Sequence, residues 1–147
     1  MIIRVLKIWV FVFYVKGVLD EQFLELQQLQ DETSPNFVYD VVNIYFQESE
    51  KLIRNLRGLL VDKEFSDYKK MGKHLNQLMG SSSSIGAKRV NNICLAFRAA
   101  SEQNNRPACL RALELLENEY CYLNNKLHEF FQVMIDSPSS TTTAPFC

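Results

Sequence analysis

Glycine and proline are scarce in this chain, five and four among 147 residues, too few for an all-β protein that must turn about every ten residues. Helices are favoured. Neither sign of charge dominates: 16 basic and 17 acidic side chains leave a formal net charge of −1, so the broad basic footprint demanded by nucleic acid is missing. The apolar run Ile8–Val15, IWVFVFYV, stops at eight residues, far short of the roughly 18 that a membrane-spanning helix needs. Cys94, Cys109, Cys121 and Cys147 contain no C-x-x-C spacing and His74 and His128 lie far apart, which argues against a zinc site. No metal and no cofactor is expected.

What is present suits one ordinary soluble domain, with 47% hydrophobic and 22% charged residues and length enough to bury about two-thirds of the unfolded surface in one core. Cys94, Cys109 and Cys121 fall within apolar helical patterns, where a thiol behaves as a small hydrophobe. All three are therefore expected to be reduced and buried, as in a reducing compartment. Residues 1–16 form an atypical apolar segment. Arg4 and Lys7 precede its run as they would in a signal peptide, but no alanine occurs before Ala87 to supply a cleavage site. The alternative is that the segment packs as a first helix or strand.

Asp20 can cap a short helix, DEQFLELQQLQ, in which Phe23, Leu24 and Leu26 cluster and Leu29 closes the stripe. Ser34-Pro35 then resembles a helix start, and Val38, Val41, Tyr45, Leu52, Leu56 and Leu59 mark a buried face to about Leu60. After Asp62–Glu64 comes Met71, Leu75, Leu78, Ser82 and Ile85 at helical spacing, with Gly86 as the breaker. Val90, Ile93, Cys94 and Phe97 define the next helix, which fades at Gln103-Asn104-Asn105. Pro107 opens the last, carried by Leu110, Leu113, Leu116, Tyr120, Leu123, Leu127, Phe130 and Phe131 to about Met134. From Ser137 the composition, SPSSTTTAPFC, cannot build a core. The expected organisation is an apolar segment over 1–16, a helical domain over 17–135 and a disordered tail over 136–147. Its fold class is all-α, an antiparallel four-helix bundle with additional N-terminal helices.

The helix after Glu64 carries a second stripe, Gly72, Asn76, Met79, Gly80 and Ser83, rotated by roughly 100° from the apolar one. Gly80 in a helix interior costs about 1 kcal/mol relative to alanine, and four mediocre helix formers, Ser81–Ser84, follow it. A helix that gives up side-chain volume there leaves a place where another protein can approach. The serines could instead be a flexible linker, but periodicity on both sides favours a helix end. Met79 could belong to the core, although its stripe favours exposure as a soft contact.

The stretch Asn76–Ala87, NQLMGSSSSIGA, resembles the H-Q-L-K-G-S-S-S-S-I-G-A core of the plant histidine-containing phosphotransfer proteins of the cytokinin signalling relay. LDEQFLELQQLQDETSPNFV, FRAASEQ and LENEYCYLNNKL extend the resemblance over about Gly17 to Phe131. The apolar N-terminal run departs from that family's polar, amphipathic first helix. Two further departures bear on chemistry. The family's histidine accepts a phosphoryl group from a receiver-domain aspartate through an imidazole lone pair. Asn76 stands at that position, and a carboxamide nitrogen, whose lone pair is delocalised, is neither basic nor nucleophilic. The family's lysine one turn later, suited to balancing phosphate charge, is Met79.

The resemblance implies a pseudo-phosphotransfer protein with no catalytic residue: a monomer that docks on receiver domains of hybrid histidine kinases and response regulators. It would occupy them unproductively and dampen the relay in cytoplasm and nucleus, binding no nucleic acid and spanning no membrane. Asn76, Lys73, Gln77, Met79, Gly80 and Ser83 are the expected contacts, with Leu24 of the short helix adding apolar surface. Two other readings stand beside it. One is an active phosphotransferase using His74, although that residue lies about 200° round the helix from Asn76 and is more simply a structural histidine, as is His128. The other is a helical adaptor tethered to a membrane by the apolar N-terminus.

Overall fold

The computed structural model describes residues 16–30, 33–61, 66–135 and 147. The apolar run Ile8–Val15, the connection Asp62–Glu64 and tail residues 136–146 lie outside the described residues, and with them the expectations placed there. Among the described residues there are five helices: α1 (Glu21–Gln28), α2 (Phe37–Val61), α3 (Tyr68–Ile85), α4 (Lys88–Glu102) and α5 (Arg106–Ile135). No strand occurs among the described residues.

Their ends follow from local chemistry. The Asp20 carboxylate accepts from the Gln22 amide at 2.9 Å and opens α1, and Asp67 accepts from Lys70 N at 3.1 Å to open α3. Gly86 closes α3 in the left-handed region at φ 77°, a conformation a side chain makes costly. Asn104, at φ 54°, ends the α4 segment, and the Asn105 side chain accepts from Ala108 N at 3.2 Å ahead of Pro107 in the first turn of α5. The start of α2 differs from the sequence expectation. It begins at Phe37, after a turn through Ser34-Pro35, and the amide of Val38 is capped by the side-chain oxygen of Gln30 at 3.1 Å. A residue eight positions back thus supplies the acceptor expected from Ser34.

Helices α2, α3, α4 and α5 form a closed four-helix ring in which each packs on two neighbours, and α1 lies against α3. Cross-links between α2 and α5 run in antiparallel register: Arg57 pairs with Glu117, Phe46 stacks edge-on with Tyr120, and Tyr39 meets Phe131. The core is continuous through Ile53, Leu56, Leu75, Leu78, Phe97 and Leu116, all 1% exposed or less. Each such side chain contributes about 1.5–3 kcal/mol when fully buried.

Ser82, a polar residue in an apolar stripe, is also buried, and its hydroxyl shares a 2.9 Å hydrogen bond with Tyr45. The buried serine is thereby satisfied. Val41, Leu59 and Ile93, expected in buried rows, are only half-buried against the core, and two further residues are exposed. Leu29 is 66% exposed because α1 is a single short helix whose Phe23 and Leu26 alone reach the core, and Leu110 is 39% exposed at the opening of α5.

The cysteines require a correction. Cys94 and Cys109 are buried free thiols, as expected, but Cys121 is bonded to Cys147 with Cα atoms 5.6 Å apart. Cys121 lies on the flank of α5, half-buried, while Tyr120 and Leu123 beside it take the core positions. Its sulfur is therefore open to the end of the chain. Thiol titration of the denatured, unreduced protein is expected to find two reactive groups and, after reduction, four. Four before reduction would mean that the pair does not form.

Candidate functional site

Helix α3 is two-faced. Met71, Leu75, Leu78, Ser82 and Ile85 are buried, whereas Lys69, Lys73, Asn76, Gly80 and Ser83, spaced four, three, four and three, are exposed. A helical period places each set on its own side. Gln77 is exposed next to Asn76, and Gly72 is half-buried. Met79 is half-buried and packs against the core, more enclosed than its stripe suggested, because it sits where the exposed row meets α4. Leu24, 36% exposed, lies on α1, which is anchored by a hydrogen bond from Asp20 N to Gly86 O at 2.9 Å. That anchor is ten residues along α3 from Asn76, about 15 Å at 1.5 Å per residue.

Two hydrogen bonds fix α4 beside this row. Arg98 donates from Nη1 to Asn76 Oδ1 at 3.0 Å, and Asn91 donates from Nδ2 to Ser83 Oγ at 3.1 Å. The helices are therefore antiparallel here, and the α4 turn between those residues, which bears Leu95 at 44% exposure, lies along Gly80. Asn91, Leu95 and Arg98 are contributions from α4 that sequence reasoning did not identify. Arg98 stands inside the FRAASEQ stretch that carries the family resemblance, yet only the register of two helices brings it to Asn76.

The serine run is helix and not linker. Ser81 donates back to Leu78 O and Ser84 to Gly80 O, each at 3.1 Å, so both hydroxyls are engaged on their own helix. Gly80 has a different meaning. A methyl group added there would meet no atom within 4 Å. Among the described residues nothing requires glycine at this position, and the space it leaves opens outward.

Neither histidine joins the exposed row. His74 is half-buried, and burial first, then the charge of Lys70 one turn before, hold its imidazole below the usual histidine range. His128 contacts the Asn124 carbonyl through Nδ1 at 2.7 Å and stacks on Phe46 at 5.9 Å, a structural arrangement. Among the described residues no three His, Cys, Asp or Glu side chains are placed to hold a metal ion. Among them, too, no helix is long and apolar enough to cross a membrane.

Comparison with known proteins agrees with this geometry. The family model described as the Hpt domain matches residues 40–126. Pseudo histidine-containing phosphotransfer protein 6 of Arabidopsis thaliana is 75% identical over 118 residues, which cover 80% of this chain and 77% of that protein. Histidine-containing phosphotransfer protein 1 of the same plant is 47% identical over 120 residues, 82% of this chain and 77% of its own length. Among solved structures, a histidine-containing phosphotransfer protein from maize superimposes with a TM-score of 0.85 at 34% identity, covering 92% of this chain and 99% of that one. One from Medicago truncatula has the same TM-score, 0.85, at 38% identity, covering 92% and 91%. With sequence, fold and the two-faced α3 in agreement, this chain belongs to the plant histidine-containing phosphotransfer (Hpt) family and is similar over most of its length to a pseudo member of it.

Proposed function

We propose that the protein docks on the receiver domains of hybrid histidine kinases and response regulators through the exposed row of α3 and accepts no phosphate from them. It then acts by competition, displacing active phosphotransfer proteins and lowering flux through the cytokinin relay in cytoplasm and nucleus. The carrying observation is Asn76: a carboxamide on the exposed row of α3, next to the outward-opening space at Gly80. An amide there can donate and accept hydrogen bonds but cannot take up a phosphoryl group. Lys73 and Lys69 on the same row suit a partner of acidic character and would speed its association. Exposed Leu95 and half-buried Met79 supply apolar contact near the centre, where binding energy concentrates.

A competition assay tests this directly. Phosphoryl transfer from a charged receiver domain to an active phosphotransfer protein is expected to slow as this chain is added and to recover with excess active protein. Undiminished transfer at saturating concentrations would exclude competition.

Gly80 gives a second, independent expectation. Gly80→Ala should raise unfolding stability by about 0.5–1 kcal/mol, since helix propensity improves and the new methyl group is unobstructed. The bulkier Gly80→Leu should fold normally but lose about tenfold or more in receiver affinity if a partner closes over that space. Thermal unfolding and titration calorimetry on the same samples separate the two effects. A leucine variant with undiminished affinity would place the contact elsewhere.

A further inference from the structure

Arg98 holds Asn76 in one orientation, and this bears on what the amide offers a partner. A guanidinium has donors only, so the 3.0 Å contact from its Nη1 must meet the amide oxygen. The amide nitrogen is consequently turned away from Arg98, and among the described residues no acceptor is paired with it. Arg98 also forms a loose, exposed ion pair with Glu102, 3.9 Å from its Nε. Helix α3 itself contains Lys69, Lys70 and Lys73 and no acidic residue, and the carboxylate nearest this contact is that of Glu102 on α4, beside Arg98. The exposed row thus presents an N–H donor directed away from Arg98.

We infer that Arg98 is a positioning residue that fixes the Asn76 carboxamide with its NH2 group outward, as a donor to the carboxylate of the receiver's phospho-accepting aspartate. This rests on the docking function proposed above and assigns its central contact. Asn76 is then more than a missing histidine. It retains the donor that a protonated ring nitrogen would present and lacks the lone pair needed for transfer. Once water is excluded, a donor already held in place binds without the loss of freedom that a rotating amide would incur.

The test is a double-mutant cycle in the full chain, read by titration calorimetry against an isolated plant receiver domain in its unphosphorylated form. Asn76→Ala should weaken binding about tenfold, the effect of one hydrogen bond to a charged group. Arg98→Met should weaken it by a similar factor, and the double variant should bind no worse than the weaker single one. Arg98→Lys, still a pure donor, should recover part of the loss. Replacing the receiver aspartate with alanine should make the chain's Asn76→Ala change silent. Unfolding temperatures report whether each variant is folded. Additive losses, or full affinity in Arg98→Met, would overturn the inference while leaving docking intact. A wild-type chain that binds no receiver would overturn both.

Discussion

The double variant Asn76→His, Met79→Lys is expected to become labelled when incubated with a phosphorylated receiver domain, whereas the wild-type chain is not. The imidazole restores an in-plane lone pair that can attack the acyl phosphate and later release the phosphoryl group. The site is suited to it: residue 76 is exposed, and Arg98 stands close enough to oppose protonation of the ring and to balance incoming charge. Met79 is half-buried, but a lysine can lay its methylene stem along the same path and carry its ammonium to solvent. That places a cation one turn from the acceptor, where it should add about tenfold to uptake over Asn76→His alone, the worth of one charge-assisted contact. Acid-labile label on the double variant, absent after reversion of residue 76, is the readout. Failure of both variants to take up phosphate while still binding receiver would mean that the surface has lost reactive alignment as well as the acceptor atom.

The largest effect on stability is expected at Gly86. Its φ of 77° lies in the left-handed region, and a Cβ built there would stand 2.5 Å from Asp20 Oδ1 and 2.7 Å from the backbone nitrogen of Phe23. The carboxylate could swing aside; the backbone of α1 cannot. Gly86 therefore serves two ends at once, closing α3 and admitting α1, whose Phe23 is 1% exposed and meets Phe130 edge-on at 6.4 Å. Gly86→Val adds about 1–2 kcal/mol of backbone strain, and displacement of α1 would expose Phe23 and Leu26, each contributing about 1.5–3 kcal/mol. A loss of about 3 kcal/mol or more follows, which lowers the melting temperature by about 10 °C for a domain of this size. Gly58→Ala is the control, since a methyl group there meets nothing within 4 Å, and its stability should hold or rise. Equal melting temperatures for Gly86→Val and wild type would show that α1 is not seated as described.

Much of this molecule is legible in its sequence, and what is legible is periodic. The buried row of α3 is found residue for residue from spacing alone, because a long helix against a core must repeat every three or four positions. Gly86 and Pro107 likewise announce helix boundaries through backbone chemistry that acts locally. Where contacts are distant in the chain the sequence says less. The cap on Val38 comes from Gln30 across a turn, so Ser34-Pro35 suggests an earlier start. The Cys121–Cys147 pair joins residues 26 apart, and no spacing rule separates it from the buried thiols beside it. Arg98 is 22 residues from Asn76 and becomes its neighbour only through antiparallel packing. Met79, between the two rows, is the position for which period alone is least decisive. Leu29 fails for a different reason: an eight-residue helix buries only the pair that faces its neighbour, however apolar the rest.

The most direct measurement is intact mass, combined with binding, for the wild-type chain after incubation with an excess of phosphorylated receiver domain. A saturable complex from which the chain returns with its mass unchanged is the expected result. Recovery of the chain heavier by one phosphoryl group, or failure to form any complex, would contradict a docking protein whose exposed amide cannot carry phosphate.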